Sequence, residues 1–275
     1  MGRSGRCDRN DLICMRRLFL NVMIVTFPLL IHVGCSVKED RDSCPCLLVL
    51  DFSENDSYSA GTAQIRVISY DSEIFTDALS LSDIAGEVYQ VSVPKIPLHV
   101  GVWSGGGDCI TSEGVLIPKG SDCPPVYMHD SDISPAGESY REKVIMRKNH
   151  CVLNIVMEGD RTFELPLALY GNVCGYDRSG KPVAGEFLYH LEDDGPETGC
   201  LAVLPRQVDA SLMLVVDDGS DSTRYFALGQ YIVDSGYDWT SPDLGDITVT
   251  LDYALTEISI RIEGWDGVHR YEVVI

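Results

Sequence analysis

The most reactive side chains in this sequence are its cysteines, and the tightest pair is Cys44-Pro45-Cys46. Two thiolates this close suggest zinc, but zinc takes four ligands, usually from paired C-x-x-C spacings. Here the spacing is C-x-C and no second cysteine pair follows. A bond between the two thiols is also disfavoured, because the proline stiffens a very short loop and a disulfide needs a specific geometry. The pair therefore reads as the entry to a strand over residues 47–52, with small apolar thiols partly buried. Carboxylates gather at His129-Asp130-Ser131-Asp132, at Asp217-Asp218-Gly219-Ser220-Asp221 and at Glu192-Asp193-Asp194. The first two clusters are cation candidates. Neither has the closing glutamate of a twelve-residue calcium loop, and both read as turns. Paired acids do glycosidase chemistry, but neighbours on one loop read more simply as solvated carboxylates. The sequence has no G-x-S-x-G elbow, no H-E-x-x-H helix and no phosphate-cradling G-x-x-x-x-G-K-[ST], and its six histidines lack ligand spacing. The expectation is a protein that is not an enzyme and that takes no metal or cofactor.

One more cysteine ends an apolar run. Residues 15–35 read MRRLFLNVMIVTFPLLIHVGC. Arg16 and Arg17 precede an apolar stretch from Leu18 to Gly34, interrupted by Asn21 and Pro28. A membrane-spanning helix needs roughly 20 apolar residues, so the run is short for one. A positive end, an apolar middle and a small residue before a cut site describe a signal peptide over residues 1–34, with Met15 a second candidate start. This leader carries Arg3, Arg6, Arg9, Arg16 and Arg17 against Asp8 and Asp11, whereas the whole chain has a net charge of -21. A basic leader on an acidic body is the pattern of an exported protein. The acidic body repels phosphate, which argues against nucleic acid as a partner.

The end of the run, Val33-Gly34-Cys35, is similar to bacterial lipoprotein signals. In those the cysteine thiol takes a diacylglycerol and the amine freed by cleavage takes a further chain. The likeness assigns lipidation to Cys35 and anchors the protein in the outer membrane. Two or more acyl chains hold stably where one is marginal, at about 0.8 kcal/mol per buried CH₂. An ordinary signal cut elsewhere, or a retained anchor helix, is the alternative. Lys38, Glu39 and Asp40 then resemble the surface-export signal of Bacteroidetes lipoproteins, although a solvated tether would carry the same charges. Residues 35–46 form the tether. Beyond Cys35 the chain keeps Cys44, Cys46, Cys109, Cys123, Cys151, Cys174 and Cys200. That is an odd number, so at least one thiol stays free or pairs between chains. Export permits disulfides; Cys109 and Cys123 offer a loop closure, and the connectivity is left open.

The elements that must position these residues are strands. Period-two alternation dominates downstream of the tether. Tyr89, Val91 and Val93 alternate with Gln90 and Ser92. Leu98, Val100 and Val102 alternate with His99, Gly101 and Trp103. Leu165, Leu167 and Leu169 form a third set, Ile247, Val249 and Leu251 a fourth, and Ile258, Ile260 and Ile262 a fifth. Such strands bury one face and wet the other, as sandwich strands do. Turn material separates them at Ser104-Gly105-Gly106-Gly107-Asp108, Asp177-Arg178-Ser179-Gly180-Lys181 and Asp217-Asp218-Gly219-Ser220. Lys143 to Met146 reads as one strand and Cys151 to Met157 as another, which puts a domain boundary near Arg147-Lys148-Asn149. The division is an N-terminal β-sandwich over 47–148 and a C-terminal one over 149–275.

The order of these pieces resembles the fimbrial anchor-subunit family of Bacteroidales. The carriers are Cys35 with its charged tether, Cys44-Pro45-Cys46 leading into LLVLDF, then QIRVISYD and VYQVSVPKIPLHVGVWSGG. VIMRKNHCVLNIVMEG follows, and DWTSPDLGDITVTLDYALTEISIRIEGW closes the chain. The resemblance covers nearly the whole mature chain. It implies an all-β protein of two tandem transthyretin-like β-sandwich domains behind a lipoprotein signal peptide, without catalysis. It also implies an outer-membrane lipoprotein at the base of a surface fimbria, docking fimbrillin subunits directly or by strand exchange. In strand exchange, backbone hydrogen bonds give affinity and alternating side chains fill pockets. Two rivals stand beside it. One is a glycan-binding surface lipoprotein using Trp103, Trp239 or Trp265 as a platform; the other is a fimbrial tip or accessory subunit of similar fold.

Overall fold

The computed structural model describes residues 43–55, 61–70, 72–84, 86–158, 166–191, 199–217, 223–252, 257–262 and 268–272. Cys35, Lys38, Glu39 and Asp40, the acids at 192–194, the residues at 218–221 and Trp265 lie outside them. Among the described residues no helix is long and apolar enough to cross a membrane.

In chain order the first half runs β1 (Cys46–Asp51), β2 (Thr62–Ser69), β3 (Ser72–Ser80), a one-turn helix α1 (Leu81–Ile84), β4 (Val88–Val93) and β5 (Leu98–Ser104). It continues through β6 (Ile110–Thr111), β7 (Gly114–Leu116), β8 (Tyr127–Ile133), β9 (Ser139–Lys143) and β10 (Arg147–Lys148). The second half runs β11 (His150–Glu158), β12 (Leu167–Asp177), β13 (Pro182–Leu191), β14 (Cys200–Pro205), β15 (Met213–Asp217), β16 (Thr223–Phe226) and α2 (Leu228–Asp234). It ends with β17 (Ile247–Asp252), β18 (Glu257–Ile262) and β19 (Val268–Glu272).

These strands make four sheets, stacked in two pairs. In the first pair a three-stranded sheet of order β4-β1-β9 faces a five-stranded sheet of order β10-β8-β5-β2-β3. Leu48, Leu50 and Phe52 meet Ile65, Val67, Val100 and Val102 between them, all fully buried. Leu81 and Ile84 of α1 close the end of this core. In the second pair the order is β14-β11-β17-β18-β19 on one side and β16-β15-β12-β7-β6 on the other, with β13 also paired to β12. Leu153, Ile155, Leu169, Leu214, Val216, Val249 and Leu251 fill that core without exposure, and α2 adds Leu228 and Ile232. The alternation at 89–93, 98–102 and 247–251 thus becomes β4, β5 and β17, each with one face in a core.

The halves are not separate in their hydrogen bonding. The β6–β7 hairpin comes from the first half but extends the sheet of the second, with Gly175 opposite Leu116 and Asp177 opposite Gly114. The two strands approach so closely that a Cβ on Gly114 would lie 2.0 Å from the Tyr176 carbonyl oxygen, and one on Gly175 would lie 1.9 Å from that of Val115. Both glycines also hold a positive φ, 135° and 149°, which side chains resist. A small cluster of Trp103, Val115, Val126, Met128 and Tyr176 fills the contact, drawn from both halves.

Two local expectations fail here for physical reasons. Residues 144–146 do not form a strand. β9 ends at Lys143, and the Asn55 side chain takes over the pairing, donating to the Val144 carbonyl at 2.7 Å and accepting from the Met146 amide at 3.0 Å. The alternate face of β5 is not wet either. Trp103 is 2% exposed, because Val115 of the β6–β7 hairpin, Val126, Met128 and Tyr176 of β12 pack with it.

Candidate functional site

The passage between the halves is braced from four directions. The Arg147 guanidinium pairs with Asp243 at 2.8 Å, and the Lys148 ammonium with Asp246 at 2.6 Å. The Lys148 amide donates to Asp243 Oδ1 at 2.8 Å, while its carbonyl accepts from the Leu244 amide at 3.1 Å. The buried Tyr176 hydroxyl donates to the Asn149 carbonyl and accepts from the Arg206 amide at 2.7 Å. Arg206 then forks. Its Nε reaches Asn149 Oδ1 at 2.9 Å, and one terminal nitrogen reaches the carbonyls of Trp239 and Ser241, the latter at 2.8 Å. Burial pushes the Tyr176 phenol's ionisation up and the Arg206 guanidinium's down, so the phenol is neutral while the arginine keeps its charge. A planar five-donor fork suits this clamp, and lysine could not make it. The chemistry available here is positioning.

Two clefts flank the β12–β13 turn. The turn is tied by Asp177, whose Oδ1 accepts from the Ser179 and Lys181 amides at 2.8 and 3.0 Å and from the Ser179 hydroxyl at 2.8 Å. One cleft, of about 410 Å³, is lined by His129, Arg147, Asn149 and Arg206 together with the 240–242 loop. The other, of about 510 Å³, is lined by Ile68, Tyr70, His99, Glu113 and the turn residues 177–179.

A third feature lies on the outer face of the second sandwich. Leu167 and Leu169 of β12, and Leu214 and Val216 of β15, point into the core. Period two therefore sends Tyr170, Met213 and Val215 outward. Tyr170 sits opposite both Met213 and Leu188, and Val215 sits opposite Tyr225. Tyr170 is 44% exposed and Tyr225 66%. A contiguous apolar patch on an outer sheet face marks a contact surface more often than chance exposure does. The sequence carried its signal in LALY and MLVV, where both parities are apolar.

No family model and no curated protein matches the sequence. Solved structures do match this arrangement. A candidate polysaccharide-binding protein from Bacteroides thetaiotaomicron superposes with a TM-score of 0.63 at 13% identity, covering 82% of this chain and 98% of that one. The fimbrial anchor protein Mfa2 from Porphyromonas gingivalis superposes at 0.57 with 11% identity, over 81% of this chain and 98% of its own. A candidate adhesin from Bacteroides ovatus gives 0.55 at 12% identity, over 83% and 95%. The fold is that of these fimbrial and adhesin structures. At such identities the fold alone is shared, and it agrees with the all-β architecture expected from the alternation.

Within this fold the chemical candidates of the sequence separate. Cys46 is fully buried on β1 while Cys44 is exposed, so the two thiols of the C-x-C face different surroundings. Among the described residues no three histidine, cysteine or acidic side chains lie together as metal ligands would. Cys109 and Cys123 are unjoined thiols, and burial pushes both ionisations up. His129-Asp130-Ser131-Asp132 is not a turn. It lies within β8, paired with β5 from His129 opposite Val102 to Asp132 opposite His99, where the ladder overrides the turn preference of Asp and Ser. Alternation separates its side chains. His129 is buried, accepting from the Ile145 amide at 3.2 Å with Glu142 3.4 Å beyond its other nitrogen, while Asp132 is exposed and pairs with His99 at 2.9 Å. Trp103 and Trp239 are 2% and 7% exposed, and Trp239 packs edge-on against Tyr237 at 4.7 Å, so neither is a sugar platform. Sequence reasoning missed Tyr70, Arg206 and the outer face, whose roles depend on partners far along the chain.

Proposed function

We propose that this protein is a non-catalytic fimbrial or adhesin-type component of the cell surface, an outer-membrane lipoprotein that anchors a surface fimbria. Cys35 carries the lipid, Lys38, Glu39 and Asp40 direct export, residues 35–46 form the tether, and two modules divided at 148/149 present a docking face to fimbrillin subunits. The observation that carries the reading is the match to almost the full length of the fimbrial anchor structure, 98% of that chain. It is joined to a leader whose apolar run stops at a cysteine. The occupant assigned to the outer face around Tyr170 and Tyr225 is a fimbrillin subunit, because that face is apolar on an otherwise acidic protein.

The test is fractionation of cells producing the full chain. Cys35→Ala should move the protein, and any fimbriae attached to it, from the membrane fraction to the medium. Tyr170→Glu should leave the protein in the membrane with an unchanged melting temperature but without co-purifying fimbrillin. Unchanged membrane retention of Cys35→Ala counts against the anchor. Labelling at the distal end of fimbriae would favour the tip-subunit reading instead.

A further inference from the structure

The larger cleft contains one residue that the fold itself does not explain. Tyr70 lies in the two-residue connection between paired Ser69 and Ser72. Its φ is 53°, and among the described residues it is the single non-glycine with a positive φ. Asparagine or glycine is the ordinary occupant of such a position, since a bulky side chain there is strained. A strained residue is normally held by what it packs against, yet Tyr70 is 87% exposed. Tyr70 lines the cleft together with Ile68, His99, Glu113 and residues 177–179. The β6–β7 turn that supplies Glu113 is braced by Arg66, which is 7% exposed and donates to the Thr111 carbonyl at 2.5 Å and to that of Ser112 at 3.3 Å. Glu113 on this turn pairs with Arg178, and Asp177 locks the turn that carries Arg178. The ion pair leaves planar hydrogen-bonding groups of both kinds at the edge of the cleft with their charges cancelled.

We propose that this cleft binds a neutral oligosaccharide, with the Tyr70 ring stacked on a sugar face and the Arg178–Glu113 pair bonding adjacent hydroxyls. An exposed aromatic beside a few convergent, pre-positioned polar groups in a volume of about 510 Å³ matches what a small-molecule site needs. The Asp177 carboxylate in the lining, beside the charge-cancelled Arg178–Glu113 pair on an acidic protein, favours a hydroxyl-rich neutral ligand over an anion. The inference does not depend on whether the protein anchors a fimbria.

The test uses the full chain in detergent and four probes: maltotriose, mannotriose, xylotriose and the trimer of N-acetylglucosamine. Saturation-transfer NMR and calorimetric titration at millimolar sugar should detect binding of at least one. Tyr70→Asn should weaken that binding about tenfold or more while leaving the melting temperature equal or higher, since asparagine tolerates the backbone. Failure of all four probes to bind overturns the proposal, as does wild-type affinity in Tyr70→Asn. So does tighter binding of trigalacturonate than of any neutral trimer. If Tyr70→Asn instead abolishes capture of a protein partner and leaves sugar binding intact, the cleft is a protein contact and the proposal falls.

Discussion

Asn55 gives the sharpest test of how the first sandwich is held. It is 2% exposed and bridges the loop after β1 to residues 144–146, donating to the Val144 carbonyl and accepting from the Met146 amide. Val144 and Met146 are themselves buried, at 0% and 2%. Asn55→Ala removes both partners and puts nothing in their place. Each buried backbone group left unsatisfied costs about 1–3 kcal/mol, so the pair should cost roughly 3 kcal/mol after some relaxation. That is a large share of a typical stability of about 5–15 kcal/mol. Asn55→Asp sharpens the argument. It keeps the acceptor for Met146 but turns a lone pair toward the Val144 carbonyl, so the carboxyl should hold its proton more tightly folded than unfolded. Its folded ionisation is then raised above about 3.9, and stability is recovered as pH falls toward that value and lost as pH rises through the folded one. Urea titrations followed by circular dichroism at pH 7 and pH 5 read both effects. A loss below about 0.5 kcal/mol for Asn55→Ala, or an Asn55→Asp variant that weakens further on acidification, refutes the reasoning.

Two further tests address the junction and the second core. Arg206→Ala should cost about 2–3 kcal/mol, with Arg206→Lys little better, and both should open the 239–243 loop to limited proteolysis; protease resistance equal to the parent's in either variant would contradict the clamp. Asp122 accepts from the Val203 and Cys123 amides at 2.7 and 3.1 Å, yet burial raises its ionisation to about 6. Stability from its protonated form is present below about 4 and lost as pH rises through 6. Asp122→Asn, which keeps the acceptor, should therefore gain melting temperature relative to the parent between pH 4 and pH 7, and a constant difference across that range would argue against the assignment.

The pieces legible in the sequence were those whose signal is local. Strands β4, β5 and β17 announce themselves by alternation, and the 177–181 turn by its Asp, Ser and Gly. What escaped depends on distant partners. Trp103 reads as wet until Val115 and Tyr176, from later strands, pack with it. His129–Asp132 reads as a turn by composition, and only its place inside a five-stranded sheet makes it a strand. Nothing in Ile110–Leu116 names β12 as its neighbour. The cleft beside Tyr70 draws on segments near residues 68, 99, 113 and 178, so no single window of sequence could show it.

The position of β1 has a mechanical side. This strand lies in the middle of its sheet, antiparallel to β4 over Cys46–Asp51 and parallel to β9 over Leu47–Asp51. A pull on its amino end directed along the strand axis would load the ladders on both sides in shear, and they would rupture together. An edge strand loaded the same way would have one ladder to hold it, and a strand peeled sideways would lose its bonds singly. A force applied at the amino end of β1 would thus meet two ladders at once.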